Sequence, residues 1–301
     1  MAPSKIVFVV GPTASGKSAL AIDVAKQLNG EIICADSRTI YRGLDVSTAK
    51  PTASDRSSVV HYGLDLLEPS EKFSAAQFKT YALGKIADIT SRGKMPIVVG
   101  GTGLYINGLL FDFNFGPAAN NDLRAELEPL SVEQLQQIIT KKGITMPENN
   151  KNKRYLIRAI EQGGVAAPQT VLMPGAVVVG LNPGLPVLEA RIRARAQAML
   201  DDGALQEAEW LFKTYGYSAP AASAPFFKAY APHFLQGQTL QDCKARFILN
   251  DRQLAKRQIA WFKRNNHVQW FADAGLARIY VVNKCIDSNN IGKNSSNRTP
   301  L

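Results

Sequence analysis

The chain has 301 residues, 46% of them hydrophobic and 20% charged, an ordinary globular composition that suits one large or two modest domains. A formal net charge of +10 favours an anionic partner, nucleic acid first. No stretch approaches the roughly 20 apolar residues of a membrane span, and Cys34, Cys243 and Cys285 are too scattered for a disulfide framework or a zinc site.

The chain opens Met-Ala-Pro-Ser-Lys straight into a short apolar segment, without the longer apolar stretch and cleavage site of a signal peptide. A soluble, cytoplasmic protein is therefore expected, by default a monomer. Residues 5–10 (KIVFVV) read as a strand buried on both faces of a parallel sheet. A helix is predicted over 18–28, with Leu20, Ala21, Val24, Ala25 and Leu28 on one face. Further strands are predicted at 31–35 and 96–99, with an amphipathic helix over 74–92 between them. This alternation makes the fold class α/β, with ligands at the carboxyl ends of the strands.

From about residue 113 the pattern turns polar and helical, bounded by Gly116-Pro117 and Gly163-Gly164. A strand at 176–181 (AVVVGL) returns to the core, and two long basic helices are predicted at about 186–215 and 240–265. The Ala/Pro/Ser-rich stretch 218–225 reads as a loop, and the polar tail from 288 as disordered. The expected organisation is a first core segment (1–112), a helical insertion (113–175), a return to the core with the basic helices (176–287), and the tail (288–301).

Gly11-Pro12-Thr13-Ala14-Ser15-Gly16-Lys17-Ser18 matches G-x-x-x-x-G-K-[ST] between a buried strand and a helix. Such a loop wraps backbone N–H groups around a diphosphate, with Lys17 as a mobile cation and Ser18 as a ligand for Mg²⁺. Asp36 follows the second strand, so its carboxylate is expected over the same end of the sheet as a metal ligand or general base. The third strand ends in Gly100-Gly101-Thr102-Gly103, where routine P-loop ATPases carry an aspartate. A P-loop kinase of nucleotides or other small molecules is the alternative that these features alone allow.

Four blocks in order, GPTASGKSALA, ADSRTIYRGLDVSTAKP, HYGLDLLEPSEKFSAAQF and PIVVGGTGLYINGLL, closely resemble the tRNA dimethylallyltransferase (tRNA isopentenyltransferase) family. The resemblance resumes in Arg154–Glu161, in the Arg191–Met199 helix and in Arg252–Phe262. It implies a P-loop NTPase-like sheet with a helical insertion. It also implies transfer of a dimethylallyl group from its diphosphate to the exocyclic amine of the adenosine just 3′ of the tRNA anticodon.

On that resemblance Gly11 to Ser18 hold the allylic diphosphate with Mg²⁺ at Ser18, and Lys17, Asp36 and Thr102 are catalytic, Asp36 as the base. Ser37, Arg38 and Thr39 touch the extruded nucleotide. The tRNA-binding set also includes Arg124, Arg154, Arg158, Arg252, Gln253, Lys256 and Arg257, and Lys263 and Arg264 suit the same phosphate-gripping task. The chain departs from the family pattern at Leu185 (usually arginine), at Asn152 (usually aspartate) and at Phe226-Phe227-Lys228-Ala229 (usually Gly-Tyr-Lys-Glu).

Overall fold

In the computed structural model of the chain, residues 5–117, 120–164 and 171–291 are described. The chain divides into two units, Met1–Leu110 with Leu172–Leu301, and Phe111–Val171. Among the described residues the larger unit contains six strands: β1 (Ile6–Val10), β2 (Gly30–Cys34), β3 (His61–Tyr62), β4 (Met95–Gly100), β5 (Ala176–Leu181) and β6 (Gln269–Phe271). They form one sheet in the order β3-β2-β4-β1-β5-β6, every neighbouring pair parallel. Every residue of β1 is buried, as its unbroken apolar run demands.

Helices α1 (Lys17–Leu28), α2 (Ala53–Ser58), α3 (Ala75–Ser91) and α4 (Gly103–Leu110) belong to the first stretch of that unit. The smaller unit contains α5 (Asn121–Leu127), α6 (Val132–Lys141) and α7 (Lys153–Gln162). The chain then returns through α8 (Leu185–Asp201), α9 (Ala204–Tyr215), α10 (Pro225–Gln236), α11 (Leu240–Lys263) and α12 (Ala274–Ile291). None of the helices among the described residues is long and apolar enough to cross a membrane.

Among the described residues, two of the larger unit's apolar clusters bear on the site. One joins the sheet to α1 and α12 through Val7, Val9, Leu20, Val24, Ile97, Val179 and Val281. The other packs Ile40, Tyr41 and Leu44 against Phe212, Phe226, Phe227, Tyr230 and Phe247 of α9 to α11. The second core therefore anchors the segment that follows Asp36.

The smaller unit closes its own core around Leu127, Leu135, Ile139, Leu156, Ile157 and Ile160. Glu161 sits beside that core, paired with Arg124 Nε (2.7 Å) and Arg158 NH1 (3.0 Å) while its side chain is only 1% exposed. Asn152 caps α7 by accepting from the Arg154 N–H at 3.1 Å, a role in which asparagine equals the aspartate of the family pattern.

Three sequence expectations need correction. The helix expected over 186–215 is two, because Gly203 adopts φ +101° and breaks the run between α8 and α9. The stretch 218–225 is not simply a loop: Pro220–Ser223 is a 3-10 turn and Pro225 opens α10. Proline suits a helix's first turn, and the fully buried Ala221 shows why small residues are needed there. Helix α12 continues through Ile291, past the residue where the tail was expected to begin; 292–301 lie outside the described residues.

Candidate active site

Three loops meet where β2, β4 and β1, adjacent in that order, end. The junction is close. Ala35 N–H donates to Val99 O (2.7 Å) and Thr102 N–H donates back to Ala35 O (3.4 Å). A Cβ on Gly100 would fall 2.1 Å from Ala35 O, so only glycine lets the β4 turn lie against the end of β2. Thr102 Oγ1 then accepts the Ser37 N–H at 3.1 Å, and Asp36 Oδ1 accepts the Arg38 N–H at 2.9 Å. Asp36 and Thr102 are thereby fixed beside one another.

The phosphate loop leaves β1 with Ala14 at φ +60° and Gly16 at φ +95°, and α1 starts at Lys17. A cleft of about 230 Å³ opens over it, lined by Thr13, Lys17, Ser18, Asp36, Thr39 and Arg195, with His61, Pro51 and Leu254 on its walls. That is small beside the roughly 300–1,000 Å³ of sites for drug-sized ligands and suits a compact donor. Burial of the amine end of Lys17 brings its pKa down to about 8, with the carboxylate of Asp36 pulling the other way. Cys34, also on the cleft wall, is pushed up to about 12 by burial and is no nucleophile.

Helices α8 and α11 brace the loop from outside the motif. Arg191 NH1 donates to Ser15 O at 2.9 Å, and Arg195 NH2 donates to Thr13 Oγ1 at 2.7 Å while pairing with the buried carboxylate of Asp251. Burial raises the Asp251 carboxyl above the usual range, and the Arg195 guanidinium opposes the shift. Gln258 bridges the Thr13 N–H and Gly101 O. Asp251 escaped the sequence reading, and Arg195 and Gln258 entered it only as parts of the Arg191–Met199 and Arg252–Phe262 blocks. Their signal was helical spacing: 191 and 195 share a face of α8, as do 251 and 258 on α11.

Thr39 Oγ1 and Arg195 Nε are buried without a hydrogen-bond partner, and both residues line the cleft. Unpaired buried polar atoms are uncommon, and two at one cleft mark a place where a polar ligand completes the bonding.

The remaining sequence candidates are spread more widely. Arg38 NH1 donates to Ser223 Oγ at 2.7 Å, tying the Asp36 segment to the 3-10 turn. Arg252 pairs with Glu189 of α8 (2.5 Å), and Gln253, Lys256, Arg257, Lys263 and Arg264 are exposed on or beside α11. Arg124 and Arg158 are committed to Glu161 within the smaller unit, where Arg154 is exposed.

This geometry can hold a diphosphate beside a carboxylate. The IPP transferase family model matches residues 39–265. A tRNA dimethylallyltransferase of Streptococcus pyogenes is 39% identical over 280 residues, covering 90% of this chain and 92% of the relative. The chain belongs to the IPP transferase family. Two solved members, tRNA isopentenylpyrophosphate transferases of Bacillus halodurans and Staphylococcus epidermidis, are 32% and 30% identical with TM-scores of 0.74 and 0.71. Each match covers 97% of this chain and 100% of the other, and the fold is the P-loop NTPase-like one of the family.

The departures from the family pattern now have places. Leu185 is the first residue of α8 and is 39% exposed, while the same helix brings Arg191 and Arg195 to the phosphate loop. Phe226 and Phe227 are buried in the second core, where Phe226 stacks on Tyr230 and meets Phe227 and Phe247 edge to face.

Proposed function

We propose that the protein transfers a dimethylallyl group from dimethylallyl diphosphate to the exocyclic amine of the adenosine 3′-adjacent to the anticodon of tRNA. The observation that carries this reading is the single cleft in which a phosphate loop, Lys17 and Asp36 face one another. The backbone N–H groups of Gly16, Lys17 and Ser18, with the side chains of Lys17 and Arg195, bind the diphosphate and neutralise the charge it gains on leaving. Arg195 thus supplies a second cation where the family's arginine is Leu185.

As the bond from the allylic carbon to the diphosphate oxygen breaks, its electron pair departs with the diphosphate. The lone pair of the adenine amine forms the new carbon–nitrogen bond, and the surplus amine proton passes to the Asp36 carboxylate. Oδ1 is engaged by the Arg38 N–H, which leaves Oδ2 for that proton. Thr102 and Ser37 fix this wall of the cleft, and reaching a base in the anticodon loop requires its extrusion. The exposed cations of α11, with Arg154, supply phosphate contacts to the stem.

No group of three or more His, Cys, Asp or Glu among the described residues forms a metal cage. That suits Mg²⁺, which takes one or two protein oxygens and fills its shell with substrate phosphate and water. Ser18, exposed at the cleft, would hold it, and the ion would add charge neutralisation on the leaving group.

The test is incubation with dimethylallyl diphosphate, Mg²⁺ and tRNA bearing adenosine after the anticodon, followed by mass spectrometry of the digested nucleosides. A prenylated adenosine is expected, and Asp36→Asn is expected to lower kcat by about 10²–10⁴-fold. Consumption of ATP with unmodified tRNA would replace this reading with a kinase.

A further inference from the structure

We infer that Gln258 is a positioning residue that couples the phosphate end of the cleft to its acceptor end. The inference rests on the reaction proposed above. Gln258 reaches the cleft from α11 on the same face as Asp251 and Leu254. Its carboxamide oxygen accepts the Thr13 N–H at 2.8 Å and its amide nitrogen donates to Gly101 O at 3.0 Å. One partner is a donor and the other an acceptor, so only one orientation of the amide satisfies both. The fit is tight: a Cβ on Gly101 would lie 2.3 Å from Gln258 Nε2.

Each end of this strut leads to a reacting group. Thr13 belongs to the phosphate loop, and its hydroxyl is held by Arg195. Gly101 precedes Thr102, whose Oγ1 accepts the Ser37 N–H beside Asp36. A continuous polar path therefore runs from the loop through Gln258 and the glycine turn to the base, crossing from β1 over β4 to β2. The donor carbon is set by the first of these loops and the acceptor amine by the last two. Misplacement by about 1 Å between such groups costs roughly 10²-fold in rate. Diphosphate that orders the Thr13 backbone also orders Gly101 and Thr102 through the same side chain. Donor and tRNA binding are thus linked, and the linkage must be reciprocal.

The experiment uses the full chain with two substitutions. Gln258→Met keeps the length and loses both hydrogen bonds; Gln258→Asn keeps the amide but is one methylene too short to span both partners. Three quantities are measured: the Kd for dimethylallyl diphosphate with Mg²⁺ and no tRNA, the Kd for tRNA with and without inorganic diphosphate, and the single-turnover rate. In the native protein diphosphate is expected to tighten tRNA binding about 5-fold or more. Both variants are expected to bind the donor within about 3-fold of the native protein, to lose the diphosphate effect on tRNA, and to react about 10–100-fold more slowly.

A native rate in Gln258→Met overturns the inference. So does a donor affinity that falls in step with the rate in both variants, since Gln258 would then only shape the phosphate loop. A native protein whose tRNA binding ignores diphosphate overturns it as well. The two binding measurements need no turnover, so a failure to prenylate tRNA counts against the proposed reaction separately.

Discussion

Lys17 offers a direct test of the electrostatics of the cleft. Its ordinary pKa of 10.5 falls to about 8 through burial, against the opposing attraction of Asp36. That drop amounts to about 3 kcal/mol against the charged amine in the ligand-free protein. The sign follows: with a folded pKa below the unfolded one, this group adds stability as pH rises from about 8 toward 10.5 and withdraws it as pH falls through about 8. A bound diphosphate reverses the balance by placing negative charge against the ammonium. At pH 8 about half of the amines are neutral before binding and nearly all are charged after it, so about half a proton is taken up. Calorimetric titration with dimethylallyl diphosphate in buffers of different ionisation enthalpy, without tRNA, reads this number. Lys17→Arg keeps a cation that does not titrate and is expected to show no such uptake. Affinity of the native protein is expected to fall above pH 8, approaching tenfold per unit. Equal proton uptake in the native and Lys17→Arg proteins would refute the argument.

Other substitutions separate structural charges from functional ones. Glu161→Ala removes the shared partner of Arg124 and Arg158, both partly open to solvent, and is expected to destabilise the smaller unit by about 1–3 kcal/mol, read as a lowered midpoint of thermal unfolding. Arg158→Ala is accordingly expected to lower stability more than the salt dependence of tRNA binding, whereas Arg154→Ala reduces that dependence and leaves stability unchanged. Glu31, buried at the start of β2, is held at about 2, first by the hydrogen bond from Arg92, then by Lys94 and Tyr62, against the cost of burial. A lowered carboxylate pKa gives stability that is complete above about 4.5 and drains away as pH falls toward 2. Allowing for the open sides of Arg92 and Lys94, about 2–3 kcal/mol is at stake, and Glu31→Gln should flatten the denaturation midpoint across that window.

The phosphate loop, Asp36 and the glycine turn were legible because each obeys a local rule. A glycine at a fixed offset makes a backbone shape, and a residue following a strand lies at that strand's end. Gly100 is the clearest case: its missing Cβ is required by the distance between β4 and the end of β2. Arg195, Asp251 and Gln258 obey no local rule. Gln258 meets Thr13 across 245 residues of chain and Arg195 meets it across 182, and only the folded sheet with α8 and α11 against it makes those encounters. The second core was hidden for a different reason. Pro225 and its alanines read as breakers, although proline is at home in the first helical turn and alanine is what permits Phe226 and Phe227 to pack.

Charge shows the same division most sharply. A formal +10 counts Lys50, Arg92, Arg124, Arg158 and Arg195 alongside Lys256, Arg257, Lys263 and Arg264. The first five are engaged with carboxylates inside the protein: Lys50 ties Asp45 and Asp65 together, Arg92 holds Glu31, Arg124 and Arg158 hold Glu161, and Arg195 meets Asp251. The last four are exposed on and beside one helix. Counterion release depends on cations that reach phosphates, so net charge points to an anionic partner without naming the residues that touch it. Arg158 and Glu161 stand three apart, a spacing at which opposite charges pair on a helix, and that spacing was the available warning that this arginine serves the fold.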